Sequence, residues 1–267
     1  MMPRLGLGTW HMGEDASRRA AEVAALRRGL DLGMTLIDTA EMYGEGGAER
    51  VVGEAIRGRR DGVFVVTKFY PHHASRAALA KACDGSLGRL AIDAIDLYLL
   101  HWRGNVPLAE TVEALERLVE AGKIRRWGVS NFDVADMEEL FALGEGARAA
   151  ANQVLYNVAR RGIEFDLVPW CRERSVEVMA YSPLDEGALA RDGRLAATAA
   201  RIGASAAELA IAWVLRRPGV VAIPKSSRIP HVESFAKAGA LALDADTLAE
   251  IDRLSPPPAK KQRLAII

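Results

Sequence analysis

The pattern of apolar and polar positions along the chain repeats one unit many times. Short runs of β-branched and other apolar residues alternate with longer stretches in which apolar residues recur every three to four positions. The first kind of segment is typical of a buried parallel strand, and the second of a helix packed on one face. The pattern therefore predicts successive βα units around a parallel sheet. Eight strands are predicted, at residues 5–9, 35–38, 63–68, 95–101, 126–131, 151–156, 176–182 and 220–225.

Capping residues stand where the apolar spacing places the ends of the predicted helices. Gly122 is expected to close one helix, Asp133 to cap the next, and Ser205 with Glu208 to form a capping box before another. A further helix is predicted near residues 246–254, with no strand after it. Both cysteines fall on predicted buried faces. The apolar positions that define the helices are Val23, Leu26, Leu30, Leu79, Cys83, Leu87, Leu90, Val112, Leu115, Val119, Val134, Met137, Phe141, Ile163, Leu167, Trp170 and Cys171.

The number of units indicates the fold class. Eight strands with intervening helices in 267 residues suit an α/β fold, a (β/α)₈ TIM barrel with an extra C-terminal helix. A doubly wound Rossmann domain would need a GxGxxG turn that opens a helix, and residues 6–11 lack the third glycine. No linker divides the chain. We expect a single domain over residues 1–267, in which residues 255–267 form an extended, solvated tail or lie along one face of the barrel.

The composition excludes several classes of function. The chain has 35 basic and 35 acidic side chains, so no net charge attracts nucleic acid or an anionic membrane. Cys83 and Cys171 form no disulfide framework or metal-ligand spacing. No apolar leader begins the chain, and no apolar run reaches the roughly 18 residues of a membrane span. We expect a reduced, cytoplasmic protein that acts as a monomer, without nucleic acid or membrane.

Reactive side chains stand at the ends of three predicted strands. Asp38, Lys68 and His101 each end a strand, and Tyr43 follows Asp38 in the next loop. In a TIM barrel the carboxyl ends of the strands form the mouth of the active site, so these four side chains are expected to converge there. Each one alone also fits a structural role, as a helix cap, a rim charge or a half-buried aromatic. Their coincidence on one face favours catalysis.

These four residue types suit the reduction of a carbonyl group. The alkoxide that forms needs a proton, and a tyrosine at its ordinary pKa of about 10 is a weak acid near neutral pH. A neighbouring Lys68 ammonium would lower the pKa of Tyr43, and Asp38 would hold the lysine charged and in place. His101 would orient and polarise the carbonyl oxygen. None of these side chains can donate hydride, so the sequence predicts a bound redox cofactor.

With these residues in place, the sequence resembles the aldo-keto reductase family over nearly its whole length. It resembles in particular bacterial members that reduce methylglyoxal and related small aldehydes. The resemblance implies NADPH-dependent reduction of aldehydes and ketones, with Asp38, Tyr43, Lys68 and His101 as a catalytic tetrad and Tyr43 as the general acid. The matching motifs, in chain order, are Gly8-Thr9-Trp10, Asp38-Thr39-Ala40, Tyr43-Gly44, Thr67-Lys68, Leu100-His101-Trp102, Gly128-Val129-Ser130-Asn131-Phe132, Asn152-Gln153, Ala180-Tyr181-Ser182-Pro183-Leu184 and Ile223-Pro224-Lys225-Ser226.

The resemblance also implies the position of the nicotinamide. Ser130, Asn131 and Gln153 would bind its carboxamide, and the ring would stack on Tyr181. From the residues alone, Ser130 and Asn131 also fit a strand-to-helix cap, and Tyr181 also fits a core aromatic. The other contacts implied along the cofactor are Gly8, Thr9, Trp10, Asp38, Ser182, Leu184 and Ile223.

The loop after the eighth strand bears on the choice of cofactor. Lys225, Ser226, Ser227 and Arg228 place two cations and two hydroxyls at a predicted helix N-terminus, which suits an anion. A solvated basic rim is the alternative. In the family this segment, with the position of His231, receives the 2′-phosphate of NADP. The resemblance therefore implies NADPH rather than NADH, and no metal.

Three features depart from the family pattern. Ser234 and Phe235 stand where many relatives carry Glu-Asn or Gln-Asn for the adenine ring. His231 stands where many relatives have Arg, although His is not unusual there. The short chain before Leu5 leaves room for only one strand of the hairpin that closes the barrel bottom in many members. The difference at Ser234 and Phe235 leaves the adenine contacts and the choice between NADP and NAD open.

Aromatic residues are predicted to line the substrate pocket. Trp10, Tyr70 and Trp102 follow family motifs and, with His101, would form a wall over the tetrad. Each of the three also fits packing at the barrel rim. The loop at residues 103–107 is short, and no long segment closes the pocket. These features predict an open mouth for small or varied carbonyl compounds.

Two other functions stay open from the sequence. A family member that binds NADPH as a sensor or subunit, with little catalysis, would carry the same motifs. A metal-dependent TIM-barrel hydrolase fits the fold, but no HxH or carboxylate–His pair stands at the end of the first strand. NADPH-dependent turnover that survives a chelator would separate the reductase hypothesis from both.

Overall fold

The computed structural model describes residues 2–267. Its eight strands are parallel, and each pairs with the next along the chain. Bridges between Leu5 and Ala222 and between Gly8 and Lys225 join the last strand to the first. The ring is thereby closed, which confirms the TIM barrel. The strands are β1 Gly6–Gly8, β2 Leu36–Asp38, β3 Phe64–Phe69, β4 Leu97–Leu100, β5 Trp127–Ser130, β6 Ala151–Leu155, β7 Glu177–Tyr181 and β8 Val220–Ala222.

Helices surround the barrel. Asp133 caps the helix after β5, and Ser205 forms a capping box with Glu208, so both predicted caps are confirmed. The extra helix at the C-terminal end is also present. The helices are α1 Arg19–Asp31, α2 Gly47–Ile56, α3 Arg76–Leu90, α4 Leu108–Glu120, α5 Val134–Phe141, α6 Leu167–Glu173, α7 Gly193–Ala200, α8 Ala206–Leu215, α9 Ile229–Ala240 and α10 Ala245–Leu254.

The twofold alternation of strand side chains creates two cores. Outward residues join the helices in one large cluster, which includes both buried cysteines, Cys83 and Cys171. Inward residues fill the barrel, because successive strand side chains point to opposite faces. The inward apolar set is Met2, Leu36, Val66, Leu97, Leu99, Ala151, Met179, Val221 and Ile223.

This alternation also explains why polar residues gather at one end of the barrel. Three inward apolar residues are each followed, two positions later, by a polar residue on the same face of the strand. These pairs are Leu36 and Asp38, Val66 and Lys68, and Leu99 and His101. On β6, Gln153 likewise follows inward Ala151 by two positions. The polar layer therefore lies directly above the apolar filling, at the carboxyl ends of the strands.

The amino-terminal end differs from the prediction. No strand precedes β1 in residues 2–4, and Leu5 contributes only a single bridge. Met2 instead packs with the inward apolar residues and is 3% exposed. We expected one strand of the family hairpin at this end of the barrel. Instead, the single apolar side chain of Met2 contributes to the barrel floor.

The helix predicted from the apolar spacing at residues 163–171 begins later than expected. Residues 162–164 form a short 3₁₀ turn, and α6 starts at Leu167 after Asp166, whose carboxylate accepts the Leu167 N–H. Pro169 lies in the first turn of α6, where proline is tolerated because the N–H has no helical partner. Helices α2 and α7 were not among the predicted helices.

The C-terminal tail lies along the carboxyl face of the barrel, the alternative that the sequence left open. Arg161 donates to the Ser255 carbonyl, and the Ser255 hydroxyl donates to the Val158 carbonyl over 2.6 Å. Lys261 lies 3.2 Å from Asp166, and Leu264 packs against the large cluster. The tail is exposed to solvent on its outer side but is held to the β6–α6 loop.

Among residues 2–267, every helix is too short or too polar to span a bilayer.

Candidate active site

The loop that carries Tyr43 has an unusual backbone. Tyr43–Gly46 forms a 3₁₀ turn in which Gly44 and Gly46 have φ of 55° and 82°. This left-handed region favours glycine because a Cβ there meets the backbone. A Cβ on Gly13 would lie 2.2 Å from the Gly47 carbonyl carbon, so the β1–α1 loop packs directly on the start of α2. These glycines let the loop turn Tyr43 back over the barrel mouth.

The Lys68 ammonium is the centre of the site. It is fully buried and donates to Asp38 Oδ2 at 2.8 Å, to the Thr39 carbonyl at 2.8 Å and to the Tyr43 hydroxyl at 3.2 Å. Three partners satisfy its three N–H groups. The predicted association of Asp38, Lys68 and Tyr43 is therefore present in the structure.

The bond from Lys68 fixes the role that the Tyr43 hydroxyl can take. Because the ammonium donates to the phenol oxygen, the phenol proton must point elsewhere. The edge of the Tyr43 ring faces His101, with ring centroids 5.9 Å apart. The phenol proton is therefore free for an acceptor bound at the mouth.

Burial and neighbouring charges together determine the pKa values of Lys68 and Tyr43. Burial alone would lower the pKa of Lys68, but attraction to Asp38 and Tyr43 outweighs burial and raises that pKa. The pKa of Tyr43 is raised because burial outweighs the lowering effect of Lys68. Lys68 lowers the pKa of Tyr43, as expected, but the expected net decrease of that pKa is not found. Tyr43 therefore keeps its proton at neutral pH and is able to give it.

His101 is a neutral imidazole. Burial, reinforced by the Lys68 charge, lowers the pKa of His101 to about 2. Its buried Nδ1 has no hydrogen-bond partner among residues 2–267. A proton on Nδ1 would leave a buried donor unpaired at a cost of about 1–3 kcal/mol, so the favoured tautomer carries its proton on Nε2. Nε2–H is then the ring donor available to a carbonyl oxygen.

Aromatic rings stand beside the tetrad. Trp102 packs on His101 with centroids 4.9 Å apart, and Tyr70 meets Trp102 edge-on at 6.0 Å. Trp10 lies beyond the end of β1, stacked on His11 at 4.3 Å. Trp10 and Trp102 are 38% and 37% exposed. The structure brings Tyr70, His101 and Trp102 together, and the two exposed tryptophans leave apolar surface at the mouth.

The predicted carboxamide residues form one hydrogen-bonded set. Asn131 Nδ2 donates to the Ser130 hydroxyl, and the Tyr181 hydroxyl donates to Asn131 Oδ1 at 3.0 Å. Ser130 in turn donates to the Gln153 carbonyl at 2.8 Å. Gln153 Nε2 donates to Asp38 Oδ1 at 2.7 Å. The set is thus linked directly to the tetrad, a contact that the sequence did not predict.

Two of the predicted cofactor contacts have a left-handed backbone conformation. Asn131 and Ser182 have φ of 60° and 47°, directly after β5 and β7. Such non-glycine residues cost of order 1 kcal/mol or more and concentrate at functional sites. Among residues 2–267, two of the eight non-glycine residues with positive φ are thus predicted cofactor contacts.

The remaining cofactor positions lie along β1, β7 and β8. Thr9 is buried, and its hydroxyl donates to the Asp38 carbonyl at 3.0 Å. A Cβ on Gly8 would lie 2.9 Å from the Ile223 carbonyl oxygen, so β1 and β8 approach closely. Ile223 is part of the inner apolar set, and Leu184 packs at the edge of the outer one. Thr9 and Ile223 therefore support the site from within the barrel.

The loop after β8 presents charges without partners. Within residues 2–267, neither the Lys225 ammonium nor the Arg228 guanidinium forms an ion pair. Partial burial lowers the pKa of Lys225, and the carboxylates of Glu22 and Glu14 oppose this decrease. The Ser226 hydroxyl accepts the Arg228 N–H at 3.1 Å. Ser227 is adjacent, so the loop offers two cations and two hydroxyls to an anion at the start of α9.

The residues of α9 that depart from the family pattern make structural contacts. The Ser234 hydroxyl donates to Glu208 on α8 at 3.0 Å, and Phe235 is buried in the large core cluster. His231 Nδ1 lies 3.2 Å from the Ser226 hydroxyl. Ser234 and Phe235 therefore hold α9 to the barrel, while His231 stays beside the basic loop.

Among residues 2–267, no three His, Cys, Asp or Glu side chains converge to hold a metal ion.

Comparison with known proteins agrees with this geometry. A family model described as the aldo/keto reductase family matches residues 4–256. Methylglyoxal reductase YeaE of Escherichia coli K12 is 51% identical over 271 aligned positions, which cover 100% of this chain and 95% of that protein. Glyoxal reductase of Bacillus subtilis is 32% identical over 257 positions, covering 95% and 89%.

Solved structures give the same assignment. An aldo/keto reductase from Klebsiella pneumoniae, crystallised with NADP and acetate, is 54% identical and superposes with a TM-score of 0.98. The match covers 100% of this chain and 96% of that one. A second structure from the same organism, in complex with NADPH, gives the same identity and TM-score. The chain therefore belongs to the aldo/keto reductase family.

Proposed function

We propose that the protein reduces aldehydes and ketones to alcohols with NADPH, and that Tyr43 is the general acid. One observation carries the proposal: Lys68, fixed by Asp38, donates to the Tyr43 oxygen at 3.2 Å and leaves the phenol proton free. A hydrogen bond from a cation stabilises the phenolate that remains after proton transfer. The tetrad can therefore protonate an alkoxide that forms at the mouth.

Each residue of the tetrad has a distinct task. The neutral His101 donates from Nε2 to the carbonyl oxygen and aims it at Tyr43. Tyr43 transfers its proton to that oxygen as negative charge develops there. Lys68 stabilises the phenolate, and Asp38 keeps Lys68 charged and oriented. A reduced nicotinamide cofactor supplies the hydride when it is bound.

The residues at the other strand ends fit such a cofactor. Ser130, Asn131 and Gln153 offer amide and hydroxyl groups to a carboxamide, next to the ring of Tyr181. Further along, Lys225 and Arg228 are cations without an ion-pair partner among residues 2–267, as a 2′-phosphate site requires. The two nicotinamide-adenine complexes of the Klebsiella pneumoniae relatives support this choice.

Methylglyoxal and other small carbonyl compounds are the proposed substrates. The name of the Escherichia coli relative, with 51% identity over the whole chain, supports methylglyoxal. Exposed Trp10 and Trp102 offer apolar surface at the mouth. We propose in addition that the chain acts as a single domain over residues 1–267, as a cytoplasmic monomer.

The test is the loss of reduced-nicotinamide absorbance with methylglyoxal and with aromatic aldehydes, run with NADPH and with NADH. Turnover with NADPH alone supports both the reduction and the phosphate site. Equal turnover with both cofactors retains the reduction and contradicts the phosphate site. Cofactor binding without turnover of any aldehyde would favour the sensor hypothesis. The reaction is also run with a chelator, which is expected to have no effect.

A further inference from the structure

Glu41 lies two residues before Tyr43 and holds the end of the neighbouring strand. Its side chain is 8% exposed. Oε1 accepts the backbone N–H of Tyr70 at 2.7 Å and lies 2.8 Å from His73 Nδ1. The backbone N–H of Glu41 donates to the Lys68 carbonyl at 3.1 Å. Glu41 therefore contacts the backbone of the β3 end at two points, on either side of Phe69.

These two bonds connect the two halves of the catalytic group. The segment from Asp38 to Tyr43 carries the carboxylate and the phenol, and the end of β3 carries Lys68 and the start of the aromatic wall. The Lys68–Tyr43 contact of 3.2 Å crosses between them. A misplacement of about 1 Å in such a group can cost about 10²-fold in rate. A side chain of the segment that carries Tyr43 thus hydrogen-bonds directly to the end of the strand that carries Lys68.

We propose that Glu41 is a positioning residue, which aligns Lys68 with Tyr43 by fixing the backbone of residues 68–70. This inference rests on the proposed reductase function. Glu41 acts through the backbone that carries Lys68 and Tyr70. The essential feature is the reach of its oxygen to the Tyr70 N–H, which a glutamine amide shares and an aspartate, one methylene shorter, does not.

The same strand provides a matched control at its other end. Asp96 is 5% exposed, and its Oδ2 accepts the backbone N–H of Val65 at 2.9 Å. It also bonds Arg60 at 2.7 Å. Asp96 thus accepts a backbone N–H of β3 with a buried carboxylate, as Glu41 does at the other end, but it lies remote from the mouth. If loss of such a hydrogen bond affected kcat only through the stability of β3, kcat should fall equally at the two positions.

The experiment compares Glu41→Asp, Glu41→Gln, Glu41→Ala and Asp96→Ala with the wild type. The measurements are kcat and KM for methylglyoxal with NADPH, NADPH affinity by fluorescence, and the melting temperature. We expect Glu41→Asp and Glu41→Ala to lower kcat by roughly tenfold or more, with KM and cofactor affinity within about threefold. Glu41→Gln should stay within about threefold of wild-type kcat because its oxygen still accepts the Tyr70 N–H.

Asp96→Ala should lower the melting temperature as Glu41→Ala does, with kcat within about twofold of wild type. Wild-type kcat in Glu41→Asp, or an equal loss of kcat in Asp96→Ala, would overturn the proposal. If Glu41→Ala fails to fold, the difference in kcat between Glu41→Asp and Glu41→Gln decides whether the proposal holds. Absence of turnover in the wild type would contradict the reductase function itself and is thereby distinguished from failure of this inference.

Discussion

The side-chain amide of Gln153 donates to Asp38 Oδ1 over 2.7 Å, between residues 115 positions apart in the chain. Their strands, β6 and β2, lie across the barrel from each other in the eight-stranded ring. Asp38 Oδ2 bonds Lys68, so the carboxylate links the predicted carboxamide site to the proton donor. We therefore expect that occupation of one part of the mouth affects the geometry of the other.

Replacement of Gln153 by Leu should weaken both catalysis and stability. It leaves Asp38 Oδ1 without its donor, which costs about 1–3 kcal/mol of unfolding free energy. We expect a lower kcat and a weaker affinity for NADPH, measured by steady-state kinetics and fluorescence titration. Asn152→Ala is the control, because Asn152 points outward and donates to the Phe132 carbonyl at 2.8 Å. Its kcat should match that of the wild type, and an equal loss of kcat would contradict the coupling.

Tyr43→Phe should remove the proton donor and leave the site otherwise intact. General acid catalysis contributes roughly 10²- to 10⁴-fold, so kcat should fall within that range. The ring and its contact with His101 are retained, and NADPH affinity should change little. Wild-type turnover in this variant, measured with methylglyoxal, would exclude Tyr43 as the acid.

Lys68→Met should abolish most turnover and also destabilise the fold. Asp38 would be left as a buried carboxylate without its cation, and breaking such a pair costs about 3–5 kcal/mol. The double variant Asp38→Asn with Lys68→Met removes both charges and should recover part of this stability, as measured by denaturant unfolding. It should recover none of the activity. Full stability of Lys68→Met alone would argue against a buried ion pair.

The low pKa of His101 predicts how stability depends on pH. The unfolded histidine takes up a proton near its ordinary pKa of about 6.5, whereas in the folded protein that pKa is about 2. The unfolded state therefore binds more protons between these values, and folding stability falls as the pH decreases through this range. Each pH unit below about 6.5 costs up to about 1.4 kcal/mol. His101→Gln should lose less stability than the wild type between pH 7 and pH 5.

Activity should respond to pH in a different way. His101 stays neutral, and the pKa of Tyr43 is raised by burial, so neither group changes charge between pH 6 and 9. The chemical step, measured by single-turnover reduction with saturating NADPH, should be level over that range. It should decrease only at alkaline pH, as Tyr43 loses its proton. A decrease between pH 7 and 6 with folded protein would contradict this assignment.

The basic loop should determine the choice between the two cofactors. Loss of a charge-assisted bond to phosphate costs about 1.5–3 kcal/mol, so Lys225→Ala or Arg228→Ala should raise the KM for NADPH by roughly ten- to 100-fold. The KM for NADH should not rise, because NADH has no 2′-phosphate. Arg57→Ala, which removes an exposed arginine at the end of α2, is the control for loss of charge. An equal rise for both cofactors would indicate a folding defect.

Sequence periodicity was sufficient to find the barrel and its polar end. Asp38, Lys68 and His101 each end a predicted strand, and the carboxyl ends of the strands form the mouth of a TIM barrel, so the sequence alone assigns them to the mouth. The caps at Asp133 and Ser205 were equally local and are confirmed. Helix α6 began later than predicted because the turn at residues 162–164 interrupts the apolar spacing.

Other properties depend on groups that are distant in the chain. Glu41 has no distinctive motif of its own, and its role depends on the amide of Tyr70 across two strands. The path of the tail depends on Arg161 and Asp166 on another loop. A sequence pattern reports which face a residue occupies, but it does not report which partner meets it there.

The sequence by itself determined the eight strands, the family and the four reactive residue types at one end of the barrel, because each is encoded locally by spacing or motif. Only the tertiary structure decided the electrostatics. Whether Lys68 lowers the pKa of Tyr43 overall depends on the balance between its charge and burial, and burial exceeds it. Burial is a property of the whole closed barrel, since it arises from side chains contributed by many strands at once.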